Sequence, residues 1–185
     1  MNNKENNYSD ILFGYMNTPF FGEDGDDGGF SIAIYPDGKL IYKTYLFGEI
    51  EETRREFKLD LETVKDISKG FSFYKQEINE LEDEIDNDSL DGCENIFIFN
   101  GKKIITRNIQ YLDEDEMKEF DPEYYKEYLP VIKQQNMIVE IFAMVSVFLE
   151  TQGIDLLFYE VNFNEEDWDK KDTWIAFVRE NKEYF

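Results

Sequence analysis

Phe30-Ser31-Ile32-Ala33-Ile34-Tyr35-Pro36-Asp37-Gly38-Lys39-Leu40-Ile41-Tyr42 is the stretch whose reading decides the fold. Phe30 to Tyr35 alternates in the way a half-buried strand does. Pro36-Asp37-Gly38-Lys39 then supplies turn chemistry. Proline presets φ at the first turn position, and Asp-Gly tolerates the reversal. Leu40 to Phe47 returns as the second strand, so the segment is a β-hairpin. A sheet built of hairpins is antiparallel.

Outward from this hairpin the pattern repeats. Asp10 to Met16 reads as a first strand or turn of structure, and Gly22 to Gly29 as an acidic, glycine-rich loop. Thr53 to Leu59 reads as a further strand with charged outward residues. Asp60 is a good N-cap for a helix from Leu61. Leu61, Val64, Ile67, Phe71, Tyr74, Ile78, Leu81 and Ile85 then recur in steps of three and four, one face of a helix. Gly70 lies within that pattern as a point of bending or breakage. A second hairpin follows: Ile96 to Phe99, the turn Asn100-Gly101 that suits a type I′ reversal, and Lys103 to Leu112.

Asp121-Pro122 can cap and open another helix. Pro130 predicts a short helix to about Tyr128 and a longer one after it. The longer one is apolar around much of its circumference, from Ile132 to Leu149, and so belongs in the core. Gly153 fits its C-terminal stop. Leu156 to Phe163 and Thr173 to Arg179 read as late strands. The expectation is one α+β domain over residues 1–185, an antiparallel sheet of hairpins packed against two main helices. Residues 1–9 form a polar N-terminal tail that need not be ordered.

The chain has 185 residues, 42 acidic and 19 basic, for a net charge of −23. Hydrophobic residues make up 42% and aromatics 17%, so the chain should fold despite its charge. The charge repels nucleic-acid phosphates and anionic membrane surfaces. It attracts a basic protein partner, either a toxin or a nucleic-acid-binding effector. The lone Cys93 forms no internal disulfide. The polar N-terminus is unlike a signal peptide, and the apolar run Ile141 to Leu149 is too short to span a bilayer. The expected compartment is the cytoplasm.

The chain has no histidine. That removes the commonest general base, the commonest metal ligand and the serine–histidine and cysteine–histidine pairs. No phosphate-binding glycine loop lies between a strand and a helix. Cys93 stands beside Asp91 and Glu94, whose charge opposes a reactive thiolate. A calcium loop counted from Asp24 fails at Gly28 and Tyr35, and one from Asp86 fails at Leu90. No metal or cofactor is expected, and the chain reads as a non-enzyme. Two carboxylates could still hydrolyse a glycoside, but the sequence singles out no pair.

The acidity is clustered. Glu77 to Glu94 holds nine carboxylates and no cation, among them Glu82, Asp83, Glu84, Asp86 and Asp88. Asp113, Glu114, Asp115 and Glu116 begin a second cluster, and Glu165 to Asp172 forms a third. A single charge run is ordinarily a solvated face. Three in one small chain, with aromatics such as Tyr111 and Trp168 beside them, suggest a charged rim around aromatic anchors. The candidate partner-binding residues are therefore Glu82, Asp83, Glu84, Asp86, Asp88, Tyr111, Asp113, Glu114, Asp115, Glu116 and Trp168.

Two segments carry a resemblance. Phe30 to Tyr42 with Arg55-Glu56-Phe57-Lys58-Leu59 is one, and Asp91 to Ile104 is the other. They resemble small acidic α+β proteins of low-GC Gram-positive bacteria, some of them similar to immunity proteins of polymorphic toxin systems. The resemblance covers about half the chain and rests on hairpins and turns. It implies a cytosolic protein that neutralises a toxin by contact, and it transfers no catalytic residue. The alternative is a phage-type protein that mimics nucleic acid and blocks an effector, as an anti-restriction or anti-CRISPR protein does.

Overall fold

The computed structural model describes residues 8–18, 29–45, 53–85, 94–107 and 112–154. The late strands expected at 156–163 and 173–179, and most of the loop at 22–29, lie outside the described residues. So do Cys93, Asp86, Asp88, Tyr111 and Trp168.

The deciding hairpin forms as its sequence requires. β2 (Gly29–Ile34) and β3 (Lys39–Tyr45) pair antiparallel with Ile34 opposite Leu40. Gly38 takes φ +87°, a conformation that glycine adopts freely, and its N–H donates to the Tyr35 carbonyl at 2.9 Å. Asp37 Oδ1 accepts from the Lys39 N–H at 2.9 Å and holds the turn. The second hairpin, β6 (Glu94–Phe99) and β7 (Lys102–Arg107), turns on Asn100 at φ 50° and Gly101 at φ 86°. Positive φ at both central residues is the type I′ signature.

With β1 (Phe13–Thr18), β4 (Thr53–Lys58) and the short β5 (Glu84–Ile85), these strands form a seven-stranded sheet in the order β4-β3-β2-β1-β6-β7-β5. The fold is α+β. Every pair is antiparallel except β5 with β7. The parallel pair departs from the hairpin expectation. The helical period runs on to Ile85, but Ile85 is a buried strand residue opposite Thr106. The chain leaves its helix at Leu81 and runs straight into β5 beside β7.

The helices are α1 (Leu61–Phe73), α2 (Lys75–Glu80), α3 (Glu114–Phe120) and α4 (Pro122–Glu150). Asp60 caps α1, accepting from the Thr63 N–H at 2.6 Å. Val64, Ile67, Phe71, Tyr74, Ile78 and Leu81 are buried as the spacing requires, but Leu61 is 60% exposed in the first turn. Gly70 does not break the helix, which is interrupted at Tyr74 instead. Its role is close approach, since a Cβ there would lie 2.1 Å from Met144 Sδ on α4.

Pro130 does not divide α4, which runs unbroken through it. Pro130 and Lys126, whose carbonyl the proline leaves unbonded, both lie on the exposed side of the helix. Water can therefore satisfy that carbonyl. Burial of the run from Ile138 to Leu149 outweighs a proline cost of roughly 3 kcal/mol. By length and composition α4 could cross a membrane, but 72% of its most apolar window is buried within the protein.

The core lies between α1, α2 and α4 and one face of the sheet. Phe13, Tyr15, Phe97 and Phe99 converge there with Phe71 and Phe142. Phe142 meets Tyr15 edge-on at 5.2 Å and Phe97 at 6.1 Å between ring centroids. At the rim, Tyr15 donates to Asn95 Oδ1 at 2.8 Å. Tyr8–Asp10, expected to be mainly tail, forms a 3-10 turn with Tyr8 under the Lys103 ammonium.

Candidate functional site

Two of the acidic clusters fall at least partly within the described residues, and both are fixed to the same turn of α4. Gln134 Oε1 accepts from the Glu82 backbone N–H at 2.8 Å. Asn136 grips Leu112, the residue before Asp113, from both sides. Its Oδ1 accepts from the Leu112 N–H at 2.9 Å, and its Nδ2 donates to the Leu112 carbonyl at 2.8 Å. Two positions along a helix are about 200° apart around its axis. The acidic segments therefore meet α4 from different sides, with exposed Pro130 and Lys133 on the helix between them.

The first segment follows α2. Lys102 Nζ donates to the Asn79 carbonyl at 3.2 Å and to the Leu81 carbonyl, satisfying the C-terminal end of that helix. Its ammonium is 4.0 Å from Asp83 Oδ1, but Asp83 remains 89% exposed. The Asp83 carbonyl accepts from the Ile105 N–H at 2.9 Å, which ties the backbone to β7. Glu82 and Glu84 are exposed on either side. Backbone pairing thus holds all three carboxylates outward.

The second segment, read in sequence only as an acidic stretch, is the start of α3. Asp113 is its N-cap, accepting from the N–H groups of Asp115 at 2.9 Å and Glu116 at 3.1 Å. Glu114, Asp115 and Glu116 fill the first turn, where the helix dipole favours anions. Glu114 accepts from the Tyr125 hydroxyl at 2.8 Å, and Asp115 pairs with Lys118 at 3.2 Å. Burial, then the Glu114 bond, raises the Tyr125 hydroxyl above its ordinary titration range. Asp115 holds the Lys118 ammonium up in turn.

Aromatics border this segment. Phe120 is 93% exposed at the end of α3, and Tyr124 is 40% exposed. Tyr124 stacks on Tyr128 with centroids 4.3 Å apart. Glu82 and Asp83 on one side and Asp113, Glu114, Asp115 and Glu116 on the other thus flank α4 at Gln134 and Asn136, with Glu84 beside them on β5. The site can offer clustered negative charge with flat apolar rings beside it, which suits a cationic surface.

Gln134 and Asn136 escaped the sequence reading. The signal was the polar run Lys133-Gln134-Gln135-Asn136 inside an otherwise apolar helix, because most such groups enter a core with partners, although Gln135 Nε2 has none. A second missed feature is Glu140 on α4. Burial, and then the charge of Glu77 on α2, push its carboxyl above the ordinary range. Tyr74 faces the same two carboxylates and is pushed up to about 12, chiefly by burial. Glu77 Oε2 is itself buried with no hydrogen-bond partner. Among the described residues no group of three or more acidic or cysteine side chains is placed to hold a metal ion.

No protein-family model matches the chain, and no curated protein matches its sequence.

Proposed function

We propose that the chain is a cytoplasmic, non-catalytic binding protein that neutralises a cationic protein partner by contact, as an immunity-type inhibitor does. The observation that carries this reading is the anchoring of Glu82–Glu84 and Asp113–Glu116 to one turn of α4 through Gln134 and Asn136. The Gln134 and Asn136 side chains fix each acidic segment beside α4 against the mutual repulsion of its carboxylates. The dense negative field would steer a basic partner into a fast encounter. Phe120 and the Tyr124–Tyr128 stack would then supply the short-range contact.

The geometry also sorts the carboxylates by duty. Asp113 caps α3 and Glu114 holds Tyr125, so reversing their charge would disturb the helix as well as the field. Glu82 and Glu84 are the cleaner probes, and Asp115 gives up an exposed pair with Lys118. The partner is first captured from the native host and identified by mass spectrometry. Glu82→Lys/Glu84→Lys and Asp115→Lys are then titrated against it at two salt concentrations. The expected result is a loss of about tenfold or more in affinity at low salt and a shallower salt dependence. Unchanged affinity and salt slope in both variants would remove the binding reading from this surface. A captured partner that binds nucleic acid, and is displaced by it, would favour the nucleic-acid mimic.

A further inference from the structure

β4 is one edge of the sheet, and among the described residues no strand pairs with its outer side. Just beyond its end, the Leu59 N–H donates to the Gly38 carbonyl at 2.8 Å, which fixes the phase of the ladder with β3. Backbone groups alternate along an antiparallel pair, so Arg55 and Phe57 bond toward β3. Arg54, Glu56 and Lys58 then aim their N–H and C=O groups outward, a template for a further strand. The opposite edge, β5, is two residues long and offers far less.

The side chains along this edge are open as well. Every residue from Arg54 to Lys58 is exposed. Phe57 lies opposite Leu40, which is fully buried in the core, yet Phe57 is 42% exposed. The helical layer therefore stops short of β4. Strand alternation sets Arg55 beside Phe57 on this inward face, and Arg54, Glu56 and Lys58 on the other. Glu56 pairs with Lys39 and Arg54, and Lys58 with Asp37. Such exposed pairs exchange partners at little cost.

Charge on an edge ordinarily discourages pairing, so the sequence of β4 decides what it can accept. Two copies of one strand pair antiparallel about a two-fold axis, which sets the residue on the axis against itself. An axis at Arg54, Arg55, Glu56 or Lys58 would oppose two like charges. An axis at Phe57 opposes two aromatic rings, and it sets Glu56 of each copy against Lys58 of the other. Each Arg55 then lies diagonal to Phe57 of the other copy, within reach of its ring. The backbone phase agrees. Glu56 and Lys58 are the hydrogen-bonded pairs, with outward N–H and C=O groups, and Phe57 is the closer, non-hydrogen-bonded pair.

We infer that β4 is a self-association edge, which pairs antiparallel with β4 of a second copy about an axis at Phe57 and joins two sheets into one. This inference stands apart from the proposed function, because it concerns the sheet edge and not the acidic segments beside α4.

Sedimentation velocity of the full-length chain over a range of concentrations tests it. Salt is added to screen the repulsion between two chains of net charge −23. The variants are Phe57→Lys, Glu56→Lys and Lys58→Glu, each checked for folding by far-UV circular dichroism. The native chain should show a monomer–dimer equilibrium. Phe57→Lys sets two ammonium groups on the axis and should abolish the dimer. Glu56→Lys and Lys58→Glu each turn two cross-strand pairs from opposite to like charge, and each alone should dimerise about tenfold more weakly. Mixed together, these two variants restore both pairs, and the mixture should associate nearly as tightly as the native chain. A native chain that is monomeric at every concentration would overturn the inference, even if it took up an extended peptide instead. So would a dimer that all three variants leave intact, or a mixture that associates no better than either variant alone.

Discussion

Asn136→Ala tests whether the second acidic segment is held as described. Asn136 is 9% exposed and makes two hydrogen bonds to Leu112, at 2.9 and 2.8 Å. Each such bond contributes roughly 0.5–1.5 kcal/mol net, and a backbone group left buried without a partner costs about 1–3 kcal/mol. Leu112 is only half-buried, so water can reach part of what the alanine leaves. A loss of about 2 kcal/mol follows. The loss should be local, because α3 has no buried residue of its own and rests on α4. In amide hydrogen exchange, protection across α3 should fall about 30-fold, while the β1, β2 and β6 amides stay near their native rates. Asn136→Asp keeps the acceptor for the Leu112 N–H but sets a carboxylate against the Leu112 carbonyl, and should loosen α3 at least as much. If both variants leave exchange across α3 within a factor of about two of native, the clamp is not what places Asp113 to Glu116, and the reasoning fails.

Three further outcomes are expected. Glu140→Gln should alter the pH dependence of stability. Burial and Glu77 raise the Glu140 carboxyl in the folded chain, so its stabilising contribution is complete below the ordinary value of 4.5 and is lost as pH rises through the raised one. The variant, which cannot ionise, should gain in melting temperature over the native protein as pH climbs from 4 to 8, and a difference that stays flat would refute this. Gly70→Ala should destabilise by about 1–3 kcal/mol in urea because its Cβ meets the Met144 sulfur. Combined with Met144→Ala it should cost less than the two single changes together, and strict additivity would show that the contact is not shared. Tyr15→Phe should cost about 1 kcal/mol in urea through loss of the buried bond to Asn95, and a neutral result would mean that water replaces it.

The parts of the fold that were legible are those where one local rule acts alone. Pro36-Asp37-Gly38 and Asn100-Gly101 dictate their own dihedrals, and Asp60 and Asp121 sit where free N–H groups need acceptors. Pro130 misled because the local proline penalty is smaller than the tertiary burial of the helix around it. Ile85 misled because a helical period can run on by chance into a residue that pairs with a strand far away in sequence. The candidate site was half legible. Charge clustering is visible in a sequence, and two of the clusters are anchored beside α4. Their anchor on α4 was not visible, since nothing local ties Glu82 to Gln134, 52 positions away.

Part of the acidity has a structural cause. Asp60, Asp113 and Asp121 each cap a helix, and Glu114 and Asp115 each hold a neighbouring side chain. Such duties explain single carboxylates but not the segregation of charge. Repulsion among 42 carboxylates favours interleaving them with cations across the surface. Instead, among the described residues, basic side chains of β3, β4 and β7 collect on the sheet face turned away from the helices, while Glu82, Asp83 and Glu116 stand near α4. Among the described residues, charge is thus partly sorted between these two surfaces. A uniform negative charge would attract a basic protein in any orientation, whereas charge sorted in this way also turns it toward α4. A solubility role predicts that moving carboxylates from α4 to the sheet face, at constant net charge, leaves association unchanged. A binding role predicts a slower association rate for the same rearrangement, and stopped-flow measurement at low salt separates the two.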